Sequence, residues 1–390
     1  MHRYILYILF LFLIAACTKL PPENEILDGP VEGLNAEESM RFLSGDRAFN
    51  NEIFTTENGL GPLFVATSCG ACHAGDGKGH SFSSLTRFGQ SDTTNTYLQF
   101  GGPQLQHRSI PGYMPEQVPN GAASSVFMPP ANTGLGFIEL VSDADILAMA
   151  DPNDMDGDGI SGVPNWNYIP AYVAPFQNSQ SNNGRYICRF GKKGSVYNLL
   201  QQTANAYNQD IGITSLYEPY DTYTHQEIDP EIATQTVLDV VFYLQTLKAP
   251  IARNGNNEDV IRGKELFKIV GCEKCHRETL RTGISSISAL SNKEFHPFTD
   301  LLLHDMGNAL NDGYTEGSAL PQEWRTPALW GLGLSKNSQG GSYFLLHDGR
   351  AKSIEEAIIM HGGEAEKSAN HFKQLSAAEK QKIITFLESL

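Results

Sequence analysis

Two short segments hold the residues with the most distinctive chemistry. Cys69 and Cys72 are followed at once by His73 in "CGACH", and Cys272, Cys275 and His276 repeat the spacing in "CEKCH". Two thiols so spaced can add to the two vinyl groups of one haem, and the adjacent histidine is then placed to ligate the iron. A redox dithiol needs no histidine, and a zinc site calls for further clustered Cys or His. The expectation is two covalently bound c-type haems. Cys188, in "RYICRFG", reads as a buried apolar residue.

A second constellation lies in "DPNDMDGDGISG", where Asp154, Asp156 and Asp158 alternate before Gly159 as in the first half of an EF-hand loop. Asn165 stands where that loop would carry its bidentate Glu. The reading is a calcium loop outside a true EF-hand, and the competing one is an Asx-rich turn whose carboxylates cap their own backbone.

The elements around the two haem motifs read as a diverged tandem repeat. "LFVATSC" precedes the first motif and "LFKIVGC" the second, and "PPANTGLGF" at 129–137 answers "TPALWGLGL" at 326–334. Each half closes on an amphipathic stretch, "QTVLDVVFYLQTL" ending at Leu247 and "AEKQKIITFLESL" ending at Leu390. Ser376 and Glu379 predict a capping box at the start of the second. The turn-rich segment 248–259 marks the boundary. The expected fold is mainly α: two tandem cytochrome c-like domains, at 41–252 and 253–390, with long loops and an insertion in the first.

Composition agrees with a folded chain of this size. Its 390 residues exceed one typical domain of roughly 150, and 41% hydrophobic against 18% charged residues suffices for a core. A net charge of −16 without a long basic run argues against nucleic-acid binding. His2 and Arg3 precede the apolar run Tyr4–Ala16, too short to span a bilayer, which ends in "LIAAC" at Cys17. Residues 1–17 therefore read as a lipoprotein signal with Cys17 as the lipidated residue, and 18–40 as a tether. The expected place is the bacterial cell envelope, with lipid the sole membrane attachment.

Taken together, both haem motifs, "GPQLQ", "GLGFIEL", "DGDGISG", "RFGKKGSVYNLLQQTANAYNQDIGIT", "LLLHDMG", "RTPALWGLGL", "LHDGRAKSIEEAI" and "HGGEA" resemble the bacterial di-haem cytochrome c peroxidase superfamily. The similarity is greater to its di-haem oxidoreductase branch, whose members are also called thiol oxidoreductases. The resemblance covers nearly the whole mature chain. It implies one haem for electron transfer and one for substrate chemistry.

In such peroxidases the C-terminal haem receives electrons, and its distal ligand follows the "HDGR" and "SIEEA" segment. Here Met360 and His361 both stand there, and the position before the glycine favours His361. No distal ligand emerges for the N-terminal haem from His80 or His107, which implies an open iron. Glu139 occupies the place where relatives keep a carboxylate that moves a proton between peroxide oxygens. Arg325 and Arg350 are candidates for the haem propionates. His304 and His347, each followed by Asp, read as core histidines, and among Trp166, Trp324 and Trp330 the last is the candidate relay between haems.

The expected activity is peroxide reduction, fed by a small redox donor of cytochrome c or cupredoxin type. The alternatives are an oxygenase using dioxygen, an oxidase of a partner protein, or a non-catalytic electron carrier on the same scaffold.

Overall fold

The computed structural model describes residues 21–89, 97 and 100–390. Cys17 and the run before it lie outside the described residues. In the first part of the chain the helices are α1 (Ala36–Asn50), α2 (Leu135–Glu139), α3 (Asp143–Met149), α4 (Leu199–Asn205) and α5 (Thr234–Thr246). The second part adds α6 (Glu258–Ile269), α7 (Ser335–Ser338), α8 (Ile354–Ile359), α9 (Glu366–Gln374) and α10 (Ala377–Ser389). Helix takes up only 35% of the chain, so the expectation of a mainly α protein is met in part. Long loops and two- or three-stranded antiparallel ribbons supply the rest.

Two helix pairs organise the cores. The stripe Phe42, Gly45 and Phe49 buries one face of α1 against α5, and Val260, Gly263, Leu266 and Phe267 bury the equivalent face of α6 against α10. Both crossings depend on a glycine. A Cβ at Gly45 would lie 2.1 Å from the Asp239 carbonyl oxygen, and one at Gly263 would lie 2.0 Å from that of Lys382. The capping box expected at Ser376 and Glu379 is present on α10, and Asn35 with Glu38 forms another on α1.

The paired "GLG" segments also take equivalent places. Gly134 N–H donates to the Leu247 carbonyl at 3.2 Å, and Gly331 N–H donates to that of Leu390 at 2.9 Å. Each loop is thereby fastened to the end of the last helix of its half.

The leucine–phenylalanine correspondence is corrected by the structure. Leu266 and Phe267 lie in α6, whereas Leu63 and Phe64 form a strand paired with Arg108 and Ser109. Pro62, directly ahead of Leu63, lacks an amide donor and disfavours helical backbone at the residue before it, so no helix runs into Leu63 from upstream as α6 runs through Leu266. The true counterpart of Phe267 is Phe49, carried on α1. The halves also share a core, since Leu280, Leu290, Phe295, Leu301 and Leu302 pack with Phe137, Ile138 and Leu244 of the first.

Candidate functional site

Each haem motif folds as a single 3-10 turn, Cys69–Ala71 and Cys272–Lys274, which leaves the histidine at its exit. There the ring is fixed by a backbone carbonyl. His73 Nδ1–H donates to Pro130 O at 3.0 Å, and His276 Nδ1–H donates to Phe298 O at 3.0 Å. Pro327, the sequence partner of Pro130, is not the acceptor at the second site. Behind each imidazole stands the phenylalanine of the first helix of the pair: Phe49 is 6.0 Å from the His73 ring and Phe267 is 6.3 Å from the His276 ring.

The consequence is chemical. With Nδ1 committed, Nε2 is the free nitrogen, and burial pushes both imidazoles down to about 4, so each is neutral at pH 7. A neutral imidazole of fixed tautomer is what a metal takes. Burial also pushes the Cys69 and Cys272 thiols up to about 12 and Cys72 to about 11, so none is a ready thiolate. No described cysteine is in a disulfide. Cys188 is 1% exposed, packed near Val173 and Tyr197.

A cavity of about 320 Å³ opens beside the second motif. Cys272, Cys275 and His276 lie on its wall together with His361, whose Nδ1–H donates to Ala357 O at 2.7 Å and so also leaves Nε2 free. Met360, the rival position, packs into the second core rather than lining the cavity. Much of the remaining wall is apolar, including Phe267, Leu329, Leu345, Ile354 and Leu387.

His304 stands at the edge of this site. Its Nδ1 is 2.6 Å from Glu364 Oε2, its Nε2 is 2.9 Å from Asp300 Oδ2, and Cys275 Sγ is 3.7 Å away. Burial opposes its charge, but hydrogen bonds to Asp300, Cys275 and Glu364 outweigh burial and hold the ring up to about 12. Glu364 also accepts from Ser161 Oγ at 2.6 Å, tying the His361 segment to the insertion of the first half.

The first motif has different neighbours. Asp210 and Glu52 are the carboxylates whose charges act on Cys69, and Asp210 also acts on Cys72. Burial pushes Asp210 up to about 7 despite the Arg87 charge, and among the described residues its carboxylate makes no hydrogen bond. It belongs to the π-helical turn Ala206–Ile211, and such turns often mark functional sites. Sequence reasoning passed over Asp210, although it lies within "NAYNQDIGIT", quoted for the resemblance. The Tyr207 hydroxyl and Glu52 Oε2 nearby are buried and have no hydrogen-bond partner among the described residues.

Glu139, the expected proton carrier, is 4% exposed with both oxygens engaged. One accepts from Leu199 N–H, the first residue of α4, at 2.7 Å, and the other from Gln245 Nε2 at 2.7 Å. His80 packs between Phe82 and Phe344, and His107 is exposed.

The aspartate loop rearranges the expected trio. Asp151, Asp154 and Asp156 bring carboxylate oxygens within 4.8 Å of one another, while Asp158 turns away to pair with Lys274 Nζ at 2.7 Å. Lys274 lies inside the second haem motif. Of the two arginines, Arg325 lines the cavity, and Arg350 instead pairs with Asp348 at 2.6 Å. Trp330 lines the cavity against Gly134. Trp324 stacks on His347 at 3.7 Å, with Lys193 Nζ 3.7 Å from its ring centre.

A family model described as "Di-haem oxidoreductase, putative peroxidase" matches residues 126–390. The chain belongs to that family. The residues fit the cofactors the family name implies: paired cysteines, neutral anchored imidazoles and an apolar wall. No curated protein matches the chain. Similar solved structures include hydrazine synthase from Kuenenia stuttgartiensis, at 14% identity and TM-score 0.40, with 100% of each chain covered. A diheme peroxidase, BthA, from Burkholderia thailandensis is 13% identical at TM-score 0.40, over 90% of this chain and 86% of its own. A MauG-like protein associated with microbial copper homeostasis is 16% identical at TM-score 0.34, over 66% and 89%. The family assignment does not depend on these three.

Among the described residues no helix is long and apolar enough to cross a membrane.

Proposed function

We propose that this di-haem oxidoreductase is an exported peroxidase built from two cytochrome c-like units. One haem is joined to Cys69 and Cys72 with His73 as ligand, and the other to Cys272 and Cys275 with His276. When bound, the haem irons supply the redox chemistry. The observation that carries the reading is the unequal company of two equally anchored histidines.

At the second site His276 and His361 present free Nε2 atoms to one cavity. These two neutral imidazoles would hold the second haem, and a group held by both would supply electron transfer. At the first site the half-buried Asp210 carboxyl has no hydrogen-bond partner among the described residues and an affinity for protons near neutrality. Reduction of hydrogen peroxide to two waters consumes two electrons and two protons, and Asp210 is the group best placed to hold and deliver a proton there. Glu139 is already committed to α4 and Gln245.

The electron donor is a small redox protein of cytochrome c or cupredoxin type. Lipid on Cys17 holds the enzyme at a membrane of the cell envelope. Asp151, Asp154 and Asp156 are the cluster to which we assign calcium, a hard cation suited to carboxylate oxygens.

The test combines a spectrum with turnover. One high-spin and one low-spin ferric haem, with peroxide consumption supported by a panel of small redox donors, is the expected result. Two low-spin haems that stay so after one-electron reduction, with no peroxide turnover, would reduce the protein to an electron carrier.

A further inference from the structure

Three cationic side chains line the cavity without an anionic partner. Lys78 follows the first haem motif, Lys192 sits in the loop after the strand Arg185–Cys188, and Arg325 ends the strand Glu323–Arg325. Among the described residues none of the three makes an ion pair, and the Lys78 and Lys192 ammonium groups make no hydrogen bond. The carboxylates whose charges reach them are committed elsewhere. Asp348 is paired with Arg350 at 2.6 Å and Asp300 with His304 at 2.9 Å.

The arrangement is held in place. Arg325 N–H donates to Lys192 O at 3.1 Å and Arg325 Nε donates to Gly191 O at 3.1 Å, which locks Lys192 beside it. The next residue, Lys193, donates from Nζ to the carbonyls of Leu320, Pro321 and Glu323 at 3.2, 3.0 and 2.9 Å, so the loop cannot swing out. Burial and mutual repulsion push Lys192 well below its ordinary range, and burial takes Lys78 to about 8 and Arg325 to about 10. Half-buried like charges gathered on one cavity wall without a counterion repel one another, so a set of them pinned together points to an anion. Lys78 and Lys192, from the first half, share the cavity wall with Cys275, His276 and Arg325 of the second, which sets the group where the halves meet.

We propose that Lys78, Lys192 and Arg325 form one carboxylate cradle at the junction of the two haem sites, and that it holds haem propionates. The inference rests on the reading that both motifs carry haem. Arg325, whose Nε and Nη1 already donate to the Gly191 and Thr326 carbonyls, keeps Nη2 for a carboxylate, and the two lysines offer mobile point charges. Because the cations come from both halves of the chain, the cofactor carboxylates would also tie those halves together.

The test uses the holoprotein with both haems, read by spectroelectrochemical titration and by the propionate bending band in resonance Raman. Lys192→Met removes a positive charge that favours the reduced iron, so a midpoint potential falls and the propionate band moves. Lys192→Arg restores both toward the wild type. Lys78→Met, on a separate segment, is read in the same way and decides the matter if Lys192→Met does not fold. Full haem content with an unmoved propionate band in the variants overturns the cradle, whether or not the potentials shift, since a distant charge alone can move them. A wild-type spectrum that responds to added acetate, lost in Lys192→Met with the band unmoved, assigns the site to a free carboxylate and overturns the propionate assignment. Absence of haem from the wild type by pyridine haemochrome assay removes the haem reading itself, and the cradle with it.

Discussion

At Cys69 and Cys72 the nearby acidic charges are Asp210 and Glu52, whereas at Cys275 the closest ionisable neighbour is the imidazole of His304, held by two carboxylates. Around these unlike surroundings the scaffold is repeated closely. Each site has a histidine with Nδ1–H on a carbonyl, a phenylalanine behind it and a helix pair crossed at a glycine. The comparison separates two design problems. Holding an imidazole needs only a turn, a carbonyl and an apolar backing, so it can be copied. Deciding what the bound group does needs protons and charges at chosen places, and these are where the halves diverge.

The largest effect should come from removing the attachment points. Cys69 and Cys72 replaced by Ala should leave a protein with one haem, as should the same change at Cys272 and Cys275. A haemochrome assay still counting two in either variant would break the equivalence of the sites.

The proton chemistry sharpens the difference between them. Asp210→Asn should lower peroxide turnover by about 10²–10⁴-fold, the usual worth of a positioned acid or base, with haem content unchanged. Glu139→Gln should leave turnover nearly intact and lower stability by about 1 kcal/mol, because the new amide sets a donor against Leu199 N–H or Gln245 Nε2, both of which donate to Glu139. Steady-state kinetics beside thermal unfolding distinguishes the two, and the reverse pattern would return the proton role to Glu139.

His361→Ala should alter the second site alone, turning part of a low-spin spectrum high-spin and slowing electron entry by a smaller factor. An unchanged low-spin signal would direct attention to another ligand such as Met360.

The mildest effect concerns pH. His304 is held up to about 12 against an ordinary 6.5, so its contribution to stability is fully present below about 6.5 and is lost as pH rises toward 12. Unfolding measured from pH 6 to pH 10 should show the wild type losing stability relative to His304→Gln. Parallel curves would mean that the ring is not charged in the folded protein. Nothing comparable is expected at the first site, where His73 is neutral throughout that range.

Local order along the chain accounts for what could be read early. The α5 and α10 helices, the capping box at Ser376 and the paired "GLG" loops depend on neighbours within a few residues or on a repeated pattern, and all are where the spacing predicts. The leucine–phenylalanine match misled because two apolar residues suit a strand as well as a helix, and pairing with Arg108 and Ser109 gave Leu63 and Phe64 to a strand. Asp158 illustrates a similar limit. Its alternation with Asp154 and Asp156 is local, but its oxygen went to Lys274, which only the packing of the insertion on the second haem motif brings near.

By itself the sequence determined the thiol pairs and their histidines, the helices that flank them and the family, because each is written in adjacent residues or fixed periods. Only the tertiary structure decided that Asp210 stands free beside the first thiols while Glu139 is consumed as a cap. It also decided that His361 rather than Met360 faces the second cavity, and that Lys78, Lys192 and Arg325 meet. Burial and charge belong to neighbours in space, and here those neighbours come from segments far apart in the chain.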